Sequence, residues 1–180
     1  KDECVVVGLE PLSSDEQEQI LMQRGHQNAK HFLVEASSRG LDELLSNPQN
    51  LIMLADVVRK RAWPRSRREL YAEAVNLLLT EHNLAHSRQD NGAYSPEELL
   101  EAAGSVCAVR LISDIDGICL ANSSVRDNYP TYRSMTCCDR KQVQAALVRR
   151  VFEAGALPET VDYTHRTVAE YLAAFWIARK

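Results

Sequence analysis

The 180-residue sequence predicts a mainly α protein, a helical bundle domain followed by a second helical domain with a small β component. Three observations predict it. Apolar residues recur at helical spacing through most of the chain, and Ser, Thr, Asn or Asp residues stand at the start of successive periodic runs as caps. Extended patterning is limited to short runs at 4–8, 118–120 and 157–163. The polar stretch 87–94, which contains Asn91-Gly92, interrupts the helical pattern and places a boundary near residue 90.

With 45% hydrophobic and 26% charged residues, the composition is that of a globular chain able to bury a core. The net charge of −4 and pI near 5.8 argue against a dominant nucleic-acid or anionic-membrane surface, because such binding draws on clustered Lys and Arg. Five cysteines without a repeated CxxC spacing predict reduced thiols and a cytoplasmic setting rather than a disulfide framework or zinc site. The acidic start and the absence of a long apolar run predict neither a signal peptide nor a membrane span.

Taken in order, CVVVG at 4–8 reads as a buried strand without a partner strand for about a hundred residues. Ser13 and Glu16 form a capping box for the next helix. Ala29, Phe32, Leu33 and Ala36 share one face of a helix over 28–37, stopped by Gly40. A short helix at 41–45 follows. Asn47 caps a helix whose first residue is Pro48, with Leu51, Leu54, Ala55 and Val58 as its buried stripe. Ser66 and Glu69 start another helix that turns Leu70, Ala74, Leu77 and Leu78 inward; Arg65, Arg67 and Arg68 beside Glu69 and Glu73 read as an ion-paired face. His82 and His86, four apart, could share a metal, but no third ligand accompanies them.

Beyond the boundary, Ser95-Pro96-Glu97-Glu98 opens a long apolar helix through Ile112. Residues 118–120 form a short strand and 125–135 a loop. Asp139 with Gln142 starts a helix that carries Val143, Ala146, Leu147, Val151 and Phe152 and ends at Gly155. After a strand at 157–163, the last helix starts at Thr167, with Glu170 three residues on as its capping-box partner. Val168, Tyr171, Leu172 and Phe175 make its stripe, and Ala169, Ala173 and Ala174 allow a neighbour to approach closely. Helix, strand, helix, strand, helix is the order of a winged helix. His165 precedes a helix N-terminus, where free amides and the positive dipole end favour an anion; a local backbone hydrogen bond is the alternative.

The segment THRTVAEYLAA at 164–174 resembles the motif that closes the winged-helix domain of NACHT-type STAND NTPases, bacterial relatives of the NOD-like receptors, with Ala169 where that motif often has Gln. VVVGLEPLSSDEQEQIL looks like the exit from the family's nucleotide-binding core, LLSNPQNL at 44–51 like the asparagine-proline signature of its helical domain, and PRSRRELYAEAVNLLL at 64–79 like the helix that follows. The four segments keep the family's order. The resemblance implies residues 1–10 as the end of a missing core, 11–86 as the helical domain and 87–180 as the winged helix. It also implies that His165 contacts the terminal phosphate of bound ADP and that Pro48 packs on the adenine.

The sequence contains no GxxxxGK[ST] loop and no apolar strand ending in an acidic pair. The expectation is therefore a nucleotide-sensing lid and switch without its own catalytic residues or metal site. ADP or ATP with Mg²⁺ would bind only within a longer parent, a cytoplasmic signalling or defence ATPase with a C-terminal sensor, and that parent would form a homo-oligomer when triggered. Two other classes stand beside this one: a winged-helix DNA regulator using Arg140, Lys141, Arg149 and Arg150, and a helical protein-interaction module.

Overall fold

The computed structural model describes residues 10–80, 94–124, 126–135 and 138–180; the expected strand at 4–8, the boundary near residue 90, and His82 and His86 lie outside them. The chain is mainly helical with a three-stranded antiparallel sheet, and its contacts divide it into compact units at 1–74 and 75–180, with one helix running through the division. Among the described residues no helix is long and apolar enough to cross a membrane.

The first unit holds α1 (Ser14–Gln23), α2 (Ala29–Ser38), α3 (Asp42–Leu45), α4 (Pro48–Lys60) and the start of α5 (Arg67–Thr80). Ser13 and Glu16 close the expected capping box on α1, the Glu16 carboxylate accepting from the Ser13 amide at 2.8 Å. Gly40, at φ 69°, ends α2 in a left-handed turn in which the Leu41 amide bonds the Ala36 carbonyl at 3.1 Å. The Asn47 side chain accepts from the amides of Gln49 and Asn50 at 3.0 and 3.1 Å, and Pro48 takes the first helical position, where a missing N–H costs nothing. Leu51, Leu54 and Ala55 are buried as expected, but Val57 rather than Val58 completes the stripe. On α5 the buried set is Leu70, Tyr71, Ala74, Val75 and Leu79, and the expected Leu77 and Leu78 are only partly covered. The cap of α5 is also displaced: Ser66 accepts from the Glu69 amide, while the Glu69 carboxylate accepts from the Arg65 amide instead of Ser66.

His26 in the α1–α2 loop lies 5.2 Å from the Phe32 ring, and Phe32 lies 4.8 Å from Trp63. Its Nε2 is buried without a hydrogen-bond partner. Burial, aided by the Arg59 guanidinium and opposed by Asp56, holds the imidazole below its ordinary pKa. A histidine depressed in the folded state contributes stability that is full above the unfolded pKa and is lost as pH falls through the folded one. Thermal melts between pH 7.5 and 5.5 are therefore expected to show the native chain losing more melting temperature than a His26→Phe variant; parallel profiles would remove His26 from the account.

The second unit contains α6 (Pro96–Ile112), β1 (Ile118–Cys119), a 3-10 turn at Tyr132–Ser134, α7 (Arg140–Leu147), β2 (Phe152–Ala154), β3 (Thr160–Tyr163) and α8 (Arg166–Ile177). Ser95 and Glu98 cap α6 as expected. Its last residue, Ile112, is 70% exposed, so the apolar run outlasts the buried part of the helix. The helix expected to reach Gly155 stops at Leu147, and Phe152 opens a strand. After a turn at 148–151, the β-branched Val151 and aromatic Phe152 suit an extended segment, and β2 pairs with β3 from Phe152↔Tyr163 to Ala154↔Val161. β3 is the central strand, with β1 on its other edge through Ile118↔Val161. Helix, strand, helix, hairpin, helix is the winged-helix order, with β2–β3 as the wing.

Candidate functional site

The end of β3 and the start of α8 are fixed from several sides. Asp162 accepts from Arg110 Nε and a terminal guanidinium nitrogen at 3.0 Å each and from the Tyr163 amide at 2.8 Å, while the guanidinium lies 5.3 Å from the Tyr163 ring centre. This fork ties β3 to α6. The Thr164 amide donates to the Val151 carbonyl at 2.9 Å and its hydroxyl to the Arg150 carbonyl at 2.8 Å. Behind the site, Val168, Ala169, Leu172 and Ala173 are buried, and Gly104 lets α6 and α8 meet closely.

His165 is the N-cap of α8, at φ −139° and ψ 121°, and no side chain caps the helix. The expected cap at Thr167 is two residues late: the N-cap is His165, α8 begins at Arg166, and Glu170 pairs with Arg166 at 2.9 Å rather than returning to a Thr167 cap. The first intrahelical bond runs from the Ala169 amide to the His165 carbonyl, so helix geometry leaves the amides of Arg166, Thr167 and Val168 without an intrahelical acceptor. The Thr167 hydroxyl, freed from the capping role, is buried without a hydrogen-bond partner.

Half-burial pushes the His165 imidazole below its ordinary pKa; the Glu153 carboxylate and a backbone hydrogen bond with Thr164 oppose this without overcoming it. Near neutral pH the ring is uncharged and its single N–H is engaged by the Thr164 backbone, so an anion receives it only if the ring exchanges that acceptor or takes up a second proton. The local chemistry is that of an anion contact built from helix amides and a positive dipole end, beside an imidazole that gains a free donor on protonation or on leaving the Thr164 backbone. Arg166 stays a cation, held by Glu170.

Pro48 belongs to the first unit and His165 to the second. Pro48 is exposed at the first position of α4, over a cap that holds the amides behind it. The buried Asn50 beside it accepts from the Tyr71 hydroxyl at 3.0 Å, which fixes the first turn of α4 against α5 within the unit. Among the described residues no group of three His, Cys, Asp or Glu could hold a metal. The Cys107 thiol is pushed far up by burial and by Asp162, and is inert as a nucleophile.

Two features of the site were absent from the sequence reading. The Arg110–Asp162 fork joins residues 52 apart, which no local pattern announces. The early start of α8 had a signal, since Arg166 and Glu170 are spaced i, i+4.

The basic set expected of a DNA reader is divided. Arg140 and Lys141 are exposed on α7, Arg149 is buried, and the Arg150 amide donates to the Leu78 carbonyl at 3.1 Å. The wing carries Glu153 and Glu159, both exposed, whose charge repels phosphate. Band-shift titration with duplex DNA is expected to show weak binding without site preference. Tight binding with a steep salt slope, lost in an Arg140→Ala/Lys141→Ala variant, would instead establish a DNA reader.

No family model, curated protein or solved structure matches this chain.

Proposed function

We propose that the chain is the nucleotide-sensing lid and switch of a NACHT-type STAND NTPase, acting within a longer cytoplasmic protein that supplies the phosphate loop and Mg²⁺ site. The observation that carries the reading is His165 at the uncapped N-terminus of α8, with a neutral, half-buried imidazole beside three amides that have no intrahelical acceptor. His165 donates to the terminal phosphate of ADP, the amides and helix dipole add to the attraction, and Pro48 offers an exposed apolar ring to the adenine. Such a contact makes ADP an effector: the closed arrangement is favoured by the interactions that the nucleotide makes only there. Losing them frees the parent to open, oligomerise and signal, for example in defence.

The test is nucleotide retained by the longer protein after gel filtration. Bound ADP in the native form and its loss in His165→Ala support the reading; equal retention in both overturns it.

A further inference from the structure

Charge in the first unit is segregated. Helices α1 and α3 carry five acidic residues and no Lys or Arg, whereas the stretch RKRAWPRSRR at 59–68 has six basic residues and no acid. The acidic side chains Asp15, Glu18 and Asp42 line a groove of about 660 Å³ between α1, α2 and α3 that also exposes Leu33 and Val34, the latter 68% open to solvent. Neutralisation within the groove is slight. Among the described residues Asp15 has no hydrogen-bond or ion-pair partner, Glu18 meets Lys30 only at 3.9 Å with Lys30 largely exposed, and Asp42 is held by the Ser37 hydroxyl.

Within the basic stretch Arg61 meets Glu73 at 3.9 Å, and the shoulder at Arg65, Arg67 and Arg68 is left uncompensated. The ion-paired face expected around Arg65, Arg67 and Arg68 does not form: among the described residues none of the three has an acidic partner. Glu69, the nearest acid, is occupied by the Arg65 amide at 2.7 Å, and Arg67 stacks 5.8 Å from the Tyr71 ring centre. The two patches are of opposite sign, both exposed and each only partly compensated, by Lys30 beside Glu18 in the groove and by Glu73 beside Arg61 in the basic stretch, so they are complementary to one another.

We propose that the acidic groove of one copy receives the Arg65–Arg67–Arg68 shoulder of a second copy, so that the chain self-associates through its first unit. The guanidinium groups meet Asp15, Glu18 and Asp42, and their methylene stems cover Leu33 and Val34. A second copy is the occupant because both halves of the contact lie in the same 180 residues, and among the described residues Asp15, Arg65, Arg67 and Arg68 have no ion-pair partner while Glu18 meets only the exposed Lys30. The contact goes beyond the nucleotide reading and does not require it.

Sedimentation of the nucleotide-free chain tests this. At about 0.05 M salt the average mass should rise with concentration, to a dimer if the contact is reciprocal or further if it runs on, and should return to the monomer at about 0.5 M salt, where screening shortens to a few Å. An Arg65→Glu/Arg68→Glu variant and an Asp15→Lys/Asp42→Lys variant should each weaken association at least about tenfold, while an equimolar mixture of the two associates again, because each restores the other's counter-charge. Re-association of the mixture also shows that both variants are folded. A monomer at every concentration and salt, association indifferent to both variants, or a mixture that stays monomeric would overturn the proposal.

Discussion

Gly104→Val should cost about 3 kcal/mol of stability, the upper part of the range for forcing volume into a packed core. A Cβ built at Gly104 lies 2.8 Å from the Trp176 Cβ and 3.0 Å from the Leu172 carbonyl oxygen. Both are fixed to the backbone of α8 and cannot rotate aside, so the helices must separate. Separation would open the layer between α6 and the buried face of α8 at Leu172 and Ala173, and would strain the bond from Trp176 Nε1 to Glu101 at 2.9 Å. For a chain of this size the melting temperature should fall by roughly 6–12 °C. Gly104→Ala should fall less, because the gain of about 1 kcal/mol in helix propensity opposes the same clash. A valine variant that melts with the native chain would mean that the two helices are not held at this distance.

Local chemistry made much of this fold legible. Ser13, Asn47, Ser95 and Asp139 cap helices where the sequence places them, because a cap is decided within four residues by the hydrogen bonds that one side chain can reach. The misreadings occur where distant contacts outweigh local pattern. Val151 and Phe152 continue the apolar spacing of α7, yet Phe152 pairs with Tyr163 in the sheet, and a cross-strand partner eleven residues away leaves no trace in helical periodicity. Thr167 and Glu170 match a capping box, but the same four residues fit as well inside the first turns of a helix already begun at Arg166, and the Arg166–Glu170 pair favours the earlier start. At the candidate site, His165 and Pro48 were legible as residues and as helix-terminal positions. The Arg110–Asp162 fork that holds His165's strand in place was not, since it joins two elements that only folding brings together.

His165→Ala should weaken ADP retention in the longer protein by about 1.5–3 kcal/mol, the range for a hydrogen bond to a charged group, which is roughly 10- to 150-fold in dissociation constant. The direction follows from the acceptor: a ring that turns its N–H from the Thr164 backbone to a phosphate exchanges a neutral acceptor for a charged one. His165→Gln keeps a donor on a side chain of similar reach and should recover part of the loss, which a merely structural histidine would not show. Stability of the 180-residue chain should hardly change, because the half-buried imidazole caps no amide of α8 and the buried face of that helix begins at Val168. The ring's depressed pKa adds a pH signature. As pH falls below the ordinary histidine value the imidazolium forms and is attracted to the phosphate, so retention by the native protein should strengthen relative to His165→Ala, while the same protonation lowers the stability of the nucleotide-free chain. Nucleotide release measured beside thermal melts separates the cases: a large fall in melting temperature with unchanged release would make His165 a structural residue and remove the switch reading's main support.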